Sequence, residues 1–132
     1  LTFFELIYAP GNTYEQVGVK EIGGEMWKGK ADIITSEQII DLKTTTSIDD
    51  FKYSARKYNY DSQAWLYNQL FGKPMIFIVI EKNTYRMGMF TCSDEFLDRG
   101  KEKVARALEV YQSFFGDNAT EDINQFFINE QL

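Results

Sequence analysis

The stretch GKADIITSEQIIDLKTT, residues 29–45, sets two isoleucine-rich runs on either side of a polar link, Ser36-Glu37-Gln38. The first run closes a strand that the pattern predicts over Met26–Thr35, and the second is a strand over Ile39–Thr45. Each strand carries one aspartate, Asp32 and Asp41. Side chains alternate along a strand, so Asp41 and Lys43 share one face while Ile40 and Leu42 take the other. Pairing of the two strands through the polar link brings Asp32 and Asp41 to the same end of that hairpin.

Carboxylates held close together repel unless one is protonated or a cation neutralises them. Oxygen donors with room left for water suit Mg²⁺ or Mn²⁺. A lysine beside such an ion orients a water or helps to deprotonate it, while the ion stabilises charge developing on a phosphate. Asp-x-Lys is a common tripeptide, however, and describes the wet face of an ordinary strand equally well. The rest of the chain has to decide.

Upstream, Val17–Ile22 turns at Gly23-Gly24 into the first of these strands. Before it, residues 1–8 read as the tail of a helix stopped by Pro10-Gly11-Asn12. Downstream, residues 47–59 are polar and charged, with Asp49 and Asp50 placed to start a helical turn. Tyr60–Phe71 reads as an amphipathic helix ended by Gly72 and Pro74. Met75–Ile80 has the composition of a buried central strand, and Tyr85–Thr91 alternates as its partner. Asp94 is the candidate N-cap of a long helix whose stripe runs through Phe96, Leu97, Val104, Leu108, Tyr111 and Phe115 to Gly116. A short last helix is expected around Asp122–Asn129.

The expectation is an α/β fold: one domain over residues 1–132, with a central mixed sheet of about five strands flanked by α-helices. Because the chain begins at Leu1 and not at Met, it is read as truncated at its N-terminus.

The 132 residues are 44% hydrophobic and 16% aromatic, which excludes disorder, collagen and repeat arrays. Fourteen Lys and Arg against twenty Asp and Glu give a net charge of −6, the reverse of a nucleic-acid-binding footprint. The excess is local, though. Residues 94–132 hold nine acids and four bases, whereas residues 1–93 hold eleven and ten, with basic clusters at Lys28-Lys30 and Lys52-Arg56-Lys57.

The absence of histidine excludes more. A Ser-His-Asp triad, a Cys-His pair and a His-based zinc site are all impossible, which leaves carboxylates, Lys and Tyr for chemistry. The lone Cys92 forms no internal disulfide, fits a reducing cytoplasm and reads as a small core residue. No apolar stretch reaches the roughly 18 residues of a membrane span, so no membrane partner is expected.

A second cluster supplies context for the aspartates. In Tyr60-Asp-Ser-Gln63-Ala-Trp-Leu-Tyr67 the residues Tyr60, Gln63 and Tyr67 fall on one helix face. An amide and hydroxyls there suit a phosphate or a base edge, although the tyrosines serve equally as core aromatics with a polar tip.

Asp32, then Asp41-Leu42-Lys43, then Gln63-x-x-x-Tyr67, in this order, resemble the PD-(D/E)XK nuclease superfamily, in its RecB-like branch with the QxxxY motif. Within it the chain is similar to the RecE-type, exodeoxyribonuclease VIII-like exonuclease domains of phages and prophages, over roughly residues 17–115. The resemblance implies a restriction-endonuclease-like fold and a Mg²⁺- or Mn²⁺-dependent deoxyribonuclease, an exonuclease of phage recombination or DNA repair. It implies that Asp32, Asp41 and the Leu42 carbonyl bind the metal, that Lys43 positions or activates the attacking water, and that Gln63 and Tyr67 lie near the DNA and the metal. Thr44 and Thr45 extend the signature and suit a phosphate contact or simply a strand end. DNA is the implied partner, with room for a homo-oligomer and a recombination partner protein.

Many members of this branch add an upstream His, or a Glu in related branches, as a further ligand. Here Glu5, Glu21 and Glu25 are the candidate substitutes, or a residue of a missing upstream segment. The same departure motivates an alternative, a nuclease-fold DNA-binding or assembly module that no longer cuts.

Overall fold

The computed structural model describes residues 2–132. A short helix α1 (Phe3–Ile7) leads into strands β1 (Thr13–Ile22), β2 (Glu25–Ile34) and β3 (Ile39–Thr45). Helices α2 (Phe51–Lys57) and α3 (Tyr60–Phe71) follow, then strands β4 (Met75–Glu81) and β5 (Met87–Thr91) and the long helix α4 (Asp94–Phe115). The sheet order is β1-β2-β3-β4-β5, antiparallel except for the parallel β3–β4 pair, which α2 and α3 connect. This is the mixed five-stranded sheet expected from the pattern.

Strand alternation divides the core in two. On one face Ile39, Phe77, Val79 and Ala31 pack with Phe51, Ala55 and Ala64 of the helices. On the other, Ile33, Ile40, Ile76 and Ile78 pack beneath Leu6 and Ile7 of α1. Strand β4 is buried along almost its whole length because it lies inside the sheet with both faces covered, which is why its sequence is a continuous apolar run. Helix α3 crosses the β1–β2 ribbon where Gly18 pairs with Gly29. A Cβ on Gly29 would sit 2.8 Å from Tyr67 Cε1, so glycine is what admits the helix to the sheet.

Several boundaries differ from the sequence reading, each for a local reason. Strand β1 starts at Thr13 and not Val17, because Thr13 and Tyr14 pair with Ile34 and Ile33 of β2 despite their exposure. Strand β5 starts at Met87; Tyr85, at φ +58, belongs to the turn. The N-cap of α4 is Ser93, whose side chain accepts from the Phe96 amide, and Asp94 takes the first-turn position where its charge complements the helix dipole. The polar segment after β3 holds a full helix, α2, built on the apolar pair Phe51 and Ala55 one turn apart. The last helix shrinks to a 3₁₀ turn at Ile123–Gln125, since its apolar residues stay exposed and, apart from Phe126 edge-on to Phe114, supply little packing to hold a longer one.

Candidate active site

Strands β2 and β3 pair only at Ile33↔Ile40 and Ile34↔Ile39. Beyond those pairs they diverge, and the gap receives the Asp32 side chain, whose Oδ2 accepts from the Leu42 amide at 2.9 Å. The partner ladder is interrupted at the same level: Tyr14↔Ile33 and Gln16↔Ala31 are paired, while Glu15 between them has φ +54. Asp32 therefore leaves the regular pleat and lies beside β3 within the field of Asp41, as the strand pairing predicts.

Asp41 and Lys43 face the helices together, as alternation requires. Asp41 is 4% exposed, and its Oδ2 lies 2.8 Å from Lys43 Nζ. The other oxygen, Oδ1, accepts from Gln63 Nε2 of α3 at 3.0 Å. The Lys43 ammonium stands 4.3 Å from the centre of the Tyr60 ring. Burial pushes the Asp41 carboxyl above its ordinary 3.8; Lys43 opposes the shift, Asp32 adds to it and Gln63 opposes it. A buried acid next to a second acid is an arrangement that a cation relieves.

Tyr67, four residues after Gln63, goes elsewhere. Its hydroxyl accepts from the Lys30 amide at 3.3 Å and donates to the Lys30 carbonyl at 3.2 Å, fixing β2 two residues before Asp32. Gln63 thus reaches the acid cluster directly, whereas Tyr67 reaches it only through the backbone that carries Asp32.

The structure brings none of the three candidate glutamates to this point. Glu5 closes a capping box on α1, accepting from the Thr2 amide at 2.9 Å. Glu21 and Glu25 sit at the hairpin tip beside the Gly23-Gly24 turn, seven residues along β2 from Asp32 in the case of Glu25, or about 23 Å at the strand rise. Among the described residues no group of three His, Cys, Asp or Glu side chains is placed to hold a metal ion.

The residues present still fit a hard divalent cation. Asp41 Oδ2 is buried and, apart from the Lys43 ion pair, has no hydrogen-bond partner. Two carboxylates with waters and substrate phosphate completing the shell are the donor set Mg²⁺ commonly takes. The N–H and C=O of one strand residue leave on the same edge, so the Leu42 carbonyl faces the β2 side together with the amide that Asp32 accepts from.

Three features escaped the sequence reading. The Lys43–Tyr60 contact joins residues 17 apart in sequence and has no local signature. The exposed Lys30–Glu15 pair, at 2.9 Å, flanks Asp32, and alternation in Lys30-Ala-Asp32 was its only signal. Asp61, fully buried where α3 meets α4, takes Lys103 Nζ at 2.8 Å and stands 4.0 Å from Arg99 Nε. Cys92 is half-buried against the core, and burial pushes its thiol up to about 11.

A mixed sheet that carries one aspartate near the end of a strand, within the field of an Asp-x-Lys aspartate on the neighbouring strand, belongs to a domain of the PD-(D/E)XK class. The chain belongs to the family described as PDDEXK-like domain of unknown function (DUF3799), whose model matches residues 2–120. It is similar to a crystal structure from Eubacterium rectale described as a "Putative exonuclease", at TM-score 0.65 and 20% identity, covering 82% of this chain and 46% of that one. The chain thus spans about half the length of that protein. A structure named SSO0001 is similar at TM-score 0.48 and 21% identity, over 73% of this chain and 50% of that one. No curated protein sequence matches. Among the described residues, no helix is long and apolar enough to cross a membrane.

Proposed function

We propose that this domain is a Mg²⁺- or Mn²⁺-dependent deoxyribonuclease, of exonuclease type, that hydrolyses phosphodiester bonds of DNA in recombination or repair. The observation that carries the reading is the contact set around one buried acid: Asp41 held by Gln63 on one oxygen and by Lys43 on the other, with Asp32 beside it. The exonuclease assignment draws on the RecE-type resemblance and on the description of the Eubacterium rectale protein.

Asp32, Asp41 and the Leu42 carbonyl would hold the cation, which when bound supplies charge stabilisation at the phosphate and a nucleophilic water near neutral pH. The chain's own groups do the rest. Gln63 keeps Asp41 oriented, as partners behind a metal ligand generally do. Lys43, fixed between Asp41 and the Tyr60 ring, presents its ammonium to the attacking water or to a phosphate oxygen. Hydrolysis then joins the water oxygen to phosphorus and breaks the bond to the leaving sugar oxygen.

The test is cleavage of linear duplex DNA with Mg²⁺ or Mn²⁺ by the wild type, Asp41→Asn and Lys43→Ala. Wild-type cleavage lost in both variants, with unchanged circular dichroism, is expected. Cleavage surviving both substitutions overturns the reading. A covalently closed circle as second substrate separates exonuclease from endonuclease.

One observation favours a second reading, a DNA-binding or assembly module that no longer cuts: no third acidic side chain joins Asp32 and Asp41 among the described residues. Calorimetric titration with Mn²⁺ decides between them. DNA binding without Mn²⁺ binding favours the module.

A further inference from the structure

Beside the acid cluster, a cavity of about 360 Å³ opens between α2, the β4–β5 edge and α4. Its lining contains five aromatic side chains and three cations but no carboxylate, in a chain that carries twenty acids against fourteen bases. Exposed Tyr53 and half-buried Phe90 and Phe96 form the open part of the aromatic wall, over the buried Phe51 and Phe77; Lys52, Arg56 and Arg99 supply the charge. Lys52 and Arg56 are exposed and, among the described residues, neither pairs with a carboxylate. Arg99 is tethered at 4.0 Å to the buried Asp61, and its Nε is buried without a hydrogen-bond partner.

The position of the cavity follows from strand register. Asp41 is level with Phe77, and Phe77 with Phe90, so the three form a row across β3, β4 and β5. At the spacing of neighbouring strands, Phe77 lies about 5 Å and Phe90 about 10 Å from Asp41. Tyr60 bridges the two places: its ring stacks on Phe51 and packs on Phe77 while Lys43 stands over it. The cavity and the acid cluster are neighbours with one aromatic ring between them.

We infer that this cavity binds one unstacked nucleotide, the terminal nucleotide of a DNA strand whose adjoining phosphate lies at Asp41 and Lys43. Aromatic faces accept any base by stacking, which suits an enzyme without sequence preference. Guanidinium and ammonium groups take the phosphate through charge-assisted hydrogen bonds. The volume lies at the small end of small-ligand sites, which run to about 300–1,000 Å³, a size that suits one nucleotide. The strand-end assignment rests on the nuclease reading; the nucleotide chemistry rests on the cavity alone.

The test is calorimetric titration of the whole chain, in EDTA, with dAMP, deoxyadenosine and inorganic phosphate. It is repeated for the Lys52→Gln/Arg56→Gln double variant, whose changes are at exposed positions, and for Asp41→Asn. The expected result is that dAMP binds more tightly than either fragment, weakens about tenfold or more in the double variant and is unaffected in Asp41→Asn. A short single-stranded oligonucleotide should compete with dAMP on Asp41→Asn. Absence of dAMP binding, or binding unchanged in the double variant, overturns the site; dAMP binding without competition from the oligonucleotide overturns its assignment to a strand end. dAMP binding that the Lys52→Gln/Arg56→Gln variant weakens, in a wild type that cleaves no DNA with Mg²⁺ or Mn²⁺, would sink the nuclease reading and leave the cavity standing, and cleavage without dAMP binding does the reverse.

Discussion

Gln63 of α3 donates its side-chain amide to Asp41 Oδ1 of β3 at 3.0 Å, across 22 residues of sequence. Together with Lys43 on Oδ2 at 2.8 Å, it holds the buried carboxylate in one orientation. A buried carboxylate needs such partners, since each unmet acceptor costs about 1–3 kcal/mol.

Gln63→Ala is therefore expected to leave the fold in place and lower Mn²⁺ affinity about 10- to 100-fold, with cleavage falling in step. Gln63→Glu should be worse, because it sets a further carboxylate against Asp41. Parallel calorimetry and cleavage assays check this; wild-type Mn²⁺ affinity in Gln63→Ala would show that the contact positions nothing.

Metal should stabilise the fold through Asp41. At a free Mg²⁺ or Mn²⁺ concentration of about 100 times Kd the gain is about 2.7 kcal/mol, read as a rise in melting temperature that Asp41→Asn abolishes. Protons and metal compete for the same oxygens. Because burial holds the Asp41 carboxyl above 3.8, metal stabilisation should fade as pH drops toward that raised value. Without metal the sign reverses: the native state binds the proton more tightly than the unfolded chain. Asp41 therefore costs stability as pH rises from 3.8 through its native value, and Asp41→Asn removes that dependence.

Glu81 behaves oppositely. It accepts from the Ile48 amide at 2.8 Å and from the Thr84 hydroxyl, and these bonds, with Arg86 nearby, hold its carboxyl below the ordinary 4.5. A lowered native value gives stability that is present above 4.5 and lost as pH falls through the lower one. Urea midpoints measured against pH should drop steeply in the wild type below 4.5 and more shallowly in Glu81→Gln.

Gly100 is where α4 crosses α3, and a Cβ there would lie 2.0 Å from the Asp61 carbonyl oxygen. Backbone cannot swing aside, so Gly100→Ala should cost about 1–3 kcal/mol or more in urea unfolding. At Gly29 the obstructing atoms belong to Tyr67 and Leu70 side chains. Gly29→Ala is then the milder change to stability, but it displaces the hydroxyl that fixes Lys30 and should reduce Mn²⁺ affinity.

How much of this was legible beforehand differs element by element. The β2–β3 pair, β4 and the long stripe of α4 were readable because their apolar periods repeat over enough residues to exclude other structures. Helix α2 was not, since only Phe51 and Ala55 mark its buried side and its remaining residues describe a loop equally well. The last helix was overread because apolar residues near Phe126 look like a stripe yet have little to pack against.

The sequence by itself determined which chemistry is open to this protein. Without histidine and with one cysteine, it left carboxylates, lysine and oxygen-bound cations, and alternation alone put Asp41 and Lys43 on one face. Only the tertiary structure decided which side chains join them. It brought Gln63 to Asp41, set Tyr60 under Lys43, sent Tyr67 to the Lys30 backbone and kept Glu5, Glu21 and Glu25 away. It also closed the cavity at Phe77 and Phe90. The physical reason is that alternation and helical period are properties of one segment, whereas these contacts depend on how far two strands diverge and where a helix crosses them, which packing among distant residues sets.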